Sequence, residues 1–394
     1  MIFIFVTSLL IILGVLNPVK GNRVDEFIAR FLLLFVSIIV FSPNKFDKFK
    51  KLAIWVIILS FLVSSFAISQ DLRKFLSRDL PLYTYNDDSS TFLKVYQLVK
   101  NKIYYYEAIK IAHIGRFAQQ TAPTDIWGIR LPTIFFIWSV LPGNGLSIYF
   151  LYLFLASSVL LAAYKIGERY LGSGVGILSA YLVFPYLHFA ARDKMMLETE
   201  WWAVSVFIIA LFFLIKKQLF WATILFSLAV IVRELYAMPL LLFLIYFMFK
   251  DRKVLFVFLI PLVSFVLLFF FHLVFASQYI DSWGTLFKPR MVPFGWFLTR
   301  QTFAFASWDY SFFGLRPFFV FAVLALSGCL WVYKKVKKEE GFLLLASWVV
   351  FPIAFLKIGT VPFNDYWGIM YMPLVIIFAP LALGFFKNKL STKV

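Results

Sequence analysis

Apolar runs about as long as a membrane-spanning helix follow one another through most of the chain, and they constrain its fold more than any other feature. These runs lie near 2–18, 27–42, 52–69, 146–166, 172–190, 200–215, 219–234, 236–249, 254–276, 317–333, 341–357 and 366–386. Since one crossing needs about 20 predominantly apolar residues, they predict an all-α polytopic membrane protein with about 12 transmembrane helices. The apolar share of 62% agrees with this, because soluble domains average roughly 45–50%.

The basic residues are concentrated in every second connection between the predicted transmembrane helices. The formal net charge is +18, which in a soluble protein would suggest binding to nucleic acid. Here the basic residues gather in alternate connections, at 45–51, 165–169, 216–217, 250–253, 334–338 and 387–393. Under the positive-inside rule, these connections and both termini are predicted to be cytoplasmic. Most of the excess charge therefore orients the chain in the cell membrane, and we expect no nucleic-acid partner.

The cysteine and histidine residues do not indicate a disulfide or a metal site in this chain. The single cysteine, Cys329, lies in an apolar run, so an intrachain disulfide and a cysteine-based metal site are excluded. His113, His188 and His272 lack the helical spacing of zinc ligands, and we interpret them as packing residues. Residues 1–19 have no basic n-region and no small-residue cleavage site, so we predict a retained membrane span and not a removed signal peptide.

The number of crossings before each connection determines the side of the membrane on which that connection lies. On this basis we divide the chain into five parts. The apolar piece 131–141 cannot be a full crossing without inverting every later connection. It is short and lies between Pro132 and Pro142, so we interpret it as a re-entrant or interfacial half-helix. The predicted parts are N-terminal transmembrane helices (1–69), an external loop with amphipathic helices and the re-entrant segment (70–145), central transmembrane helices (146–276), an external basic and aromatic loop (277–316) and C-terminal transmembrane helices (317–394).

Two adjacent carboxylates, Asp87 and Asp88, stand in the first external loop. Ionisable groups at the mouth of a membrane-embedded protein are costly without a function, so these are the first candidates for chemistry. A natural helix start follows them, and apolar residues then recur at helical spacing, at Phe92, Val95, Tyr96, Val99 and Ile103. We predict an amphipathic helix in the plane of the interface and a second helix over about 106–119. The alternative is that the aspartates only cap a solvated surface helix.

The second charged segment, 191–200, is short and lies between apolar runs. Its charged residues are Arg192, Asp193, Lys194, Glu198 and Glu200. Salt bridges from the three acids to the two basic residues, across a tight turn, explain this segment as well as a functional site does. A further pair, Arg233-Glu234, stands at the tip of the short apolar hairpin 219–249. We predict that this pair forms a buried ion pair.

The third charged segment, 277–316, is basic and aromatic. It combines several tryptophans with Lys288, Arg290, Arg300 and Arg316. Basic and aromatic residues at a membrane surface suit anionic headgroups. The headgroup is either that of a lipid substrate or that of ordinary phospholipid.

Taken in order, these segments resemble the GT-C glycosyltransferases. Asp87-Asp88, with Tyr96 after them, are similar to the acidic motif in the first large external loop of that family. The segment from Arg192 to Glu200 is similar to its second acidic loop. Further likeness lies in Gly128-Ile129-Arg130-Leu131-Pro132, in 167–185, and in Asp365-Tyr366 followed by Met372-Pro373, where Asp365 replaces a common arginine. The likeness is closest over 70–236, and the spans at 2–18 and 27–42 are additions to the family pattern.

The resemblance implies an enzyme that moves a sugar from a polyprenyl-phosphate-linked donor to a lipid, glycan or protein acceptor. The transfer would occur at the external face of the membrane, with inversion at the anomeric carbon. Asp87 is then the general base, with Asp88 as its neighbour or substitute, since a carboxylate can take the proton of an attacking hydroxyl. Asp193 would orient the acceptor or bind a metal. The resemblance does not decide whether a divalent cation takes part.

The leaving group of this reaction is a lipid phosphate, whose developing charge needs cationic or metal stabilisation. The resemblance therefore implies that the external loops bind the donor. The residues implied in substrate binding are Arg192, Lys194, Glu198, Lys288, Arg290, Arg300 and Arg316.

Three other functions are open on the residues alone. A polysaccharide polymerase or ligase also has many spans and a large external loop, but relies on arginine and histidine there. A transporter of lipid-linked sugars would show internal repeats and broken helices at mid-membrane, whereas the polar residues here gather in external loops. A non-catalytic scaffold would tolerate replacement of the external carboxylates.

Overall fold

The computed structural model describes residues 47–68, 70–79, 87–116, 129–192, 194–279, 295–305, 319–356 and 364–385. Throughout these ranges the regular structure is helical, without a β-strand, which agrees with the predicted all-α class. The predicted spans at 2–18 and 27–42 lie outside the described residues, as does most of the loop 277–316.

The helices are numbered here in order of sequence. The α-helices are α1 (Asp47–Ile68), α2 (Gln70–Ser77), α3 (Asp88–Lys100), α4 (Tyr105–Arg116), α5 (Thr133–Val140), α6 (Leu146–Leu171), α7 (Ser173–Arg192), α8 (Thr199–Ile215), α9 (Leu219–Val232), α10 (Ala237–Phe247), α11 (Arg252–Ala276), α12 (Trp296–Ala304), α13 (Val320–Trp331), α14 (Lys338–Phe355) and α15 (Met372–Phe378). The 3-10 turns Lys194–Leu197 and Glu234–Tyr236 join α7 to α8 and α9 to α10. A π-helix, Val332–Val336, follows α13.

Among the described residues, three helices are long and apolar enough to cross a membrane: Leu146–Leu171, Ser173–Ala191 and Arg252–Tyr279. A fourth is added if Lys50–Phe66 and Gln70–Ser77, which meet at 61°, form one broken span. Shorter apolar helices occupy other predicted runs, at Thr199–Ile215, Leu219–Val232, Glu234–Phe247 and Met372–Leu383. These features are consistent with a helical membrane protein, and the count of about 12 crossings stays a prediction.

Two glycines set the distance between α6 and α7 near their shared turn. A Cβ atom added at Gly176 would lie 2.5 Å from the carbonyl oxygen of Tyr164, and one added at Gly167 would lie 2.8 Å from the Cα atom of Gly176. No side chain fits at such distances in a close-packed interior. The turn itself uses Gly172, whose φ of +92° lies in a region that favours glycine. The hairpin of α6 and α7 therefore depends on these glycines.

Gly176→Ala is expected to lower the free energy of unfolding by about 1–3 kcal/mol, because the added methyl group overpacks the contact between the two helices. Gly174→Ala is the matched control, since Gly174 lies on the same helix but is partly exposed. Both substitutions gain the same helix propensity, about 1 kcal/mol. Denaturation in detergent micelles measures the difference. Equal stability of the two variants would mean that α6 and α7 do not approach each other at Gly176.

The last predicted span, 366–386, is not one continuous helix. It consists of a 3-10 helix (Asn364–Met370), α15, and a second 3-10 helix (Ala379–Leu383). Pro373 and Pro380 each stand in the first turn of a new helical piece, where a proline leaves no hydrogen bond unmade. All side chains from 370 to 382 are buried. The two prolines thus divide a segment that lies inside the bundle.

Charged side chains mark one end of the bundle, where α6 and α10 finish and α14 begins. Arg169 donates two hydrogen bonds to Glu340, at 3.2 Å from Nε and 2.9 Å from Nη2, and the Tyr170 hydroxyl donates to the same carboxylate at 2.8 Å. Lys250 lies 4.0 Å from Glu339. We name this the basic end, because it brings together connections that the sequence predicts to be cytoplasmic.

The opposite end of the bundle contains Asp87, Asp88 and the second charged segment, 191–200. The helices that reach this end differ in length. Helices α6 and α11 contain 26 and 25 residues, whereas α9 and α10 contain only 14 and 11. At about 1.5 Å per residue, the long helices reach roughly 38 Å and α9 only about 21 Å. The turn between α9 and α10 therefore stops short of its longer neighbours. The segment that holds α3 and α5 packs at this end, where α5 contacts α9 and Arg130 lies 3.5 Å from Glu200 of α8.

Candidate functional site

The start of α3 is fixed by Asp87, which caps the helix. Its Oδ1 accepts a hydrogen bond from the backbone N–H of Ser90 at 2.8 Å, and its Oδ2 accepts one from the Ser90 hydroxyl at 2.9 Å. Lys194, in the turn between α7 and α8, donates to Oδ2 at 2.7 Å. An aspartate here satisfies an N–H that the helix leaves unpaired. Both oxygens of Asp87 are therefore engaged, and one contact ties α3 to the second acidic segment.

The surroundings of Asp87 keep it ionised. Partial burial raises the pKa of its carboxyl group, but the hydrogen bonds from Lys194 and Ser90 outweigh burial and hold the pKa below its usual value. A carboxylate that binds its proton weakly is a poor general base near neutral pH. The side chains of Lys194 and Asp87 are 38% and 40% exposed, so their ion pair contributes about 1 kcal/mol or less to stability.

Glu198 lies beside the start of α3, where the charge of Asp88 acts on it. The Ser89 hydroxyl donates to Glu198 Oε1 at 2.7 Å, and the Glu198 side chain is only 3% exposed. Burial, together with the charges of Asp88 and Glu200, raises the pKa of Glu198 well above its usual value, against opposing effects of Ser89 and Arg130. The second oxygen of Glu198, Oε2, has no hydrogen-bond partner among the described residues.

Beneath this pair lies a buried network of two arginines and two glutamates. Arg233 Nε lies 3.0 Å from Glu200 Oε1, and Arg130 Nη2 lies 3.5 Å from the same oxygen. Arg233 also pairs with Glu234 through Nη1, which confirms the ion pair predicted from the sequence. Arg233 is 2% exposed and Glu200 is fully buried, so these charges are compensated by one another and not by water.

Three aromatic residues hold Arg130 in this network. Tyr105 of α4 donates its hydroxyl to the backbone carbonyl of Arg130 at 2.6 Å. The guanidinium donates to the Tyr366 hydroxyl at 3.4 Å. Its carbon Cζ lies 5.9 Å from the ring centroid of Phe92, within the range of a cation–π contact. Arg130 is thus contacted by two residues of the first external loop, Phe92 and Tyr105, and by Tyr366, which lies near the end of the chain.

The site assembled in this way contains four acids and two arginines. We name it the carboxylate–arginine cluster, comprising Asp88, Arg130, Glu198, Glu200, Arg233 and Glu234. Buried ionisable groups in a membrane protein are costly and commonly functional. Arginine binds phosphate oxygens through charge-assisted hydrogen bonds, and a carboxylate nearby can take a proton from a hydroxyl. The arrangement therefore suits a reaction in which a hydroxyl attacks and a phosphate leaves.

The structure brings four of the predicted site residues together, namely Asp87, Asp88, Lys194 and Glu198. Arg300 lies on α12, and its buried Nε has no hydrogen-bond partner within the described ranges. The other predicted residues fall outside the described part of the chain, as whole residues for Asp193, Lys288, Arg290 and Arg316 and as a side chain for Arg192.

Metal ligation stays a prediction of the family resemblance. In the part of the chain that the structure describes, no group of three or more His, Cys, Asp or Glu side chains is placed to hold a metal ion. Asp193, the residue implied for that role, lies outside this part.

Two charged residues of 191–200 pair outside this segment, while the Arg192 side chain and Asp193, which the alternative of internal salt bridges also involves, lie outside the described residues. Glu200 pairs with Arg130 and Arg233, which are distant in sequence, and Lys194 pairs with Asp87. Neither Arg130 nor Tyr366 was assigned a role from the residues, and Arg233 was assigned only to its neighbour. A usable signal was present for Arg233, because a charge inside an otherwise apolar run is expected to face a buried partner.

Comparison of the chain with protein-family models, with curated proteins and with solved structures gave no match. The likeness to the GT-C glycosyltransferases is therefore a resemblance in the order of short motifs. A functional proposal rests on the residues and on the geometry of the carboxylate–arginine cluster.

Proposed function

We propose that this protein is an inverting glycosyltransferase of the GT-C type. It would move a sugar from a polyprenyl-phosphate-linked donor to a hydroxyl group of a lipid, glycan or protein acceptor. The observation that supports this most is the position of Asp88. It begins a helix that packs against the turn Lys194–Leu197, where its charge acts on both Glu198 and Arg130. Asp88, the proposed base, and Arg130, a cation, therefore lie near each other at one end of a bundle of apolar helices.

In the proposed reaction, the acceptor hydroxyl attacks the anomeric carbon while its proton passes to Asp88. The bond from that carbon to the phosphate oxygen breaks, and its electron pair leaves with the lipid phosphate. A positioned carboxylate contributes about 10²–10⁴-fold to such a step. We assign the base to Asp88, because Ser90 and Lys194 engage both oxygens of Asp87 and hold the pKa of Asp87 below its usual value. This refines the assignment from the resemblance, in which Asp87 is the base.

The leaving phosphate gains negative charge, which basic groups at the site would stabilise. The side chain of Lys194, which is bound to Asp87, is 38% exposed, whereas that of Arg130 is only 11% exposed. A buried charge among apolar helices acts in a low dielectric and counts for more than in water. The remaining basic residues keep their predicted role in binding the donor: Arg192, Lys288, Arg290, Arg300 and Arg316.

The proposed reaction takes place outside the cell, since the basic end is predicted to be cytoplasmic. In a Cys329→Ala background, which removes the buried native thiol, we expect Asn101→Cys to react with a membrane-impermeant maleimide added to intact cells. Lys216→Cys is expected to react only after the membrane is opened. Both positions are exposed, so a difference reports the side of the membrane and not burial. Labelling of Lys216→Cys alone in intact cells would reverse the proposed orientation.

The function itself is tested with purified protein in lipid vesicles. The protein is offered several polyprenyl-phosphate-linked sugars, each together with a panel of lipid, glycan and protein acceptors, and the release of free polyprenyl phosphate is measured against the Asp88→Asn variant. Release by the wild type alone supports the proposal. No release from any donor, or equal release by both proteins, would refute it. Polyprenyl-diphosphate-linked oligosaccharides in the same panel test the polymerase or ligase alternative.

A further inference from the structure

Glu198 is a buried acid, and the described arginines nearest to it are paired with other carboxylates. Arg233 pairs with Glu200 and Glu234, and Arg130 lies 3.5 Å from Glu200. Within the described ranges the carboxyl group of Glu198 has one hydrogen bond, received at Oε1 from Ser89. An ionised carboxylate buried in this way, without a cation of its own, is strongly disfavoured. The neutral acid is the form that fits this position.

The neutral acid has a donor, its O–H group, that no described residue accepts. With Oε1 accepting from Ser89, the proton of Glu198 resides on Oε2. That oxygen is buried and has no hydrogen-bond partner among the described residues. A buried donor without a partner loses the free energy of a hydrogen bond, about 1–3 kcal/mol. A ligand oxygen that entered the cluster would restore this bond.

We propose that Glu198 acts as a neutral carboxylic acid whose Oε2–H donates a hydrogen bond to an oxygen of the sugar donor bound beside Asp88. The inference deepens the proposed function and rests on it. The donor is the expected ligand, because the acceptor hydroxyl gives its own proton to Asp88 and needs its lone pair for attack. Glu198 keeps its proton throughout the reaction, so it binds and orients the sugar and exchanges no proton.

This assignment predicts a loss of activity at alkaline pH. When Glu198 ionises, it loses the donor and adds a negative charge next to Asp88. Among the described residues, the charged and titratable groups that face Glu198 from the packed elements are Asp88 on α3, Arg130 before α5, Glu200 on α8 and Tyr366 in the last segment. Donor binding by the wild type is therefore expected to weaken as the pH rises through the pKa of Glu198.

Two variants of equal size separate the neutral acid from the carboxylate. Glu198→Gln keeps an acceptor for Ser89 and a neutral donor at the position of Oε2, so its KM for the sugar donor should stay within about threefold of the wild type. Its alkaline loss of donor binding should disappear. Glu198→Leu keeps the volume without the donor, and its KM should rise by about tenfold. A Gln variant that fails to fold, or binds the donor no better than the Leu variant, would overturn the proposal.

Infrared spectroscopy tests the same inference without turnover. The wild type minus Glu198→Gln difference spectrum, recorded at neutral pH in vesicles, is expected to contain the C=O stretch of a protonated carboxyl group. A carboxylate band in its place would overturn the neutral-acid assignment. If the wild type transfers no sugar from any donor, the proposed function fails, and the infrared band still decides the state of Glu198.

Discussion

Asp88→Asn is expected to lower the rate of sugar transfer by about 10²–10⁴-fold, the usual contribution of a general base. Asparagine has nearly the same shape as aspartate but cannot take the proton of the acceptor. The side chain is at the first position of α3, and the cap of the helix is provided by Asp87, so the fold should persist. Release of polyprenyl phosphate from the preferred donor measures kcat, and denaturation in micelles confirms that the variant is folded.

Asp87→Asn is the matched control for this prediction. Asparagine caps a helix about as well as aspartate, so the bond from the Ser90 N–H is kept. The ion pair with Lys194 is lost, but it is largely exposed and worth about 1 kcal/mol or less. We therefore expect Asp87→Asn to retain activity within about tenfold of the wild type. An inactive Asp87→Asn together with an active Asp88→Asn would restore Asp87 as the base.

Arg233→Met is expected to lower the free energy of unfolding by about 3–5 kcal/mol, because it removes the cation from a buried ion pair and leaves the opposite charges in place. Glu200 is fully buried 3.0 Å from Arg233 Nε, so its carboxylate would keep only the more distant Arg130. Chemical denaturation in mixed micelles measures the change. Arg252→Met, at the exposed start of α11, is the control and should change stability by at most about 0.5 kcal/mol.

A second substitution shows whether the uncompensated charge causes this loss. Glu200→Gln in the Arg233→Met background removes the uncompensated negative charge of Glu200. We expect it to restore at least half of the lost free energy of unfolding, because neutral replacements of buried ion pairs are tolerated. A loss below about 1 kcal/mol in Arg233→Met alone would contradict the buried network.

The beginning of α3 can be predicted from the sequence because capping is local. The residues Asp-Asp-Ser-Ser predict a helix start, and the structure caps the helix with Asp87 and begins it at Asp88. The environment of the helix is less well predicted. The expected apolar face is buried, but Leu93 and Thr91 are buried as well. Helix α3 is therefore enclosed on more than one side, because the second acidic segment and α5 pack against it.

The partners of Glu200 could not be predicted, because they come from Arg130 and Arg233, far apart in the chain. Helical periodicity shows which face of a helix is buried, but not which helices meet. For the same reason the sequence left the base undecided between Asp87 and Asp88. The choice depends on Lys194 and Ser90, of which only Ser90 is close in sequence. Local patterns thus predict the helices, and the tertiary pairing of charges defines the site.

The position of Asp88 relative to a bound lipid-linked sugar tests the proposed function most directly. It can be measured in a structure of the protein in a lipid nanodisc with a non-reactive polyprenyl-phosphate sugar analogue. We expect the phosphate beside Lys194 or Arg130, with the anomeric carbon facing the carboxylate of Asp88 and the polyprenyl chain extending into the bilayer. Binding of the phosphate at the basic end, near Arg169, or a sugar turned away from Asp88, would contradict the proposal.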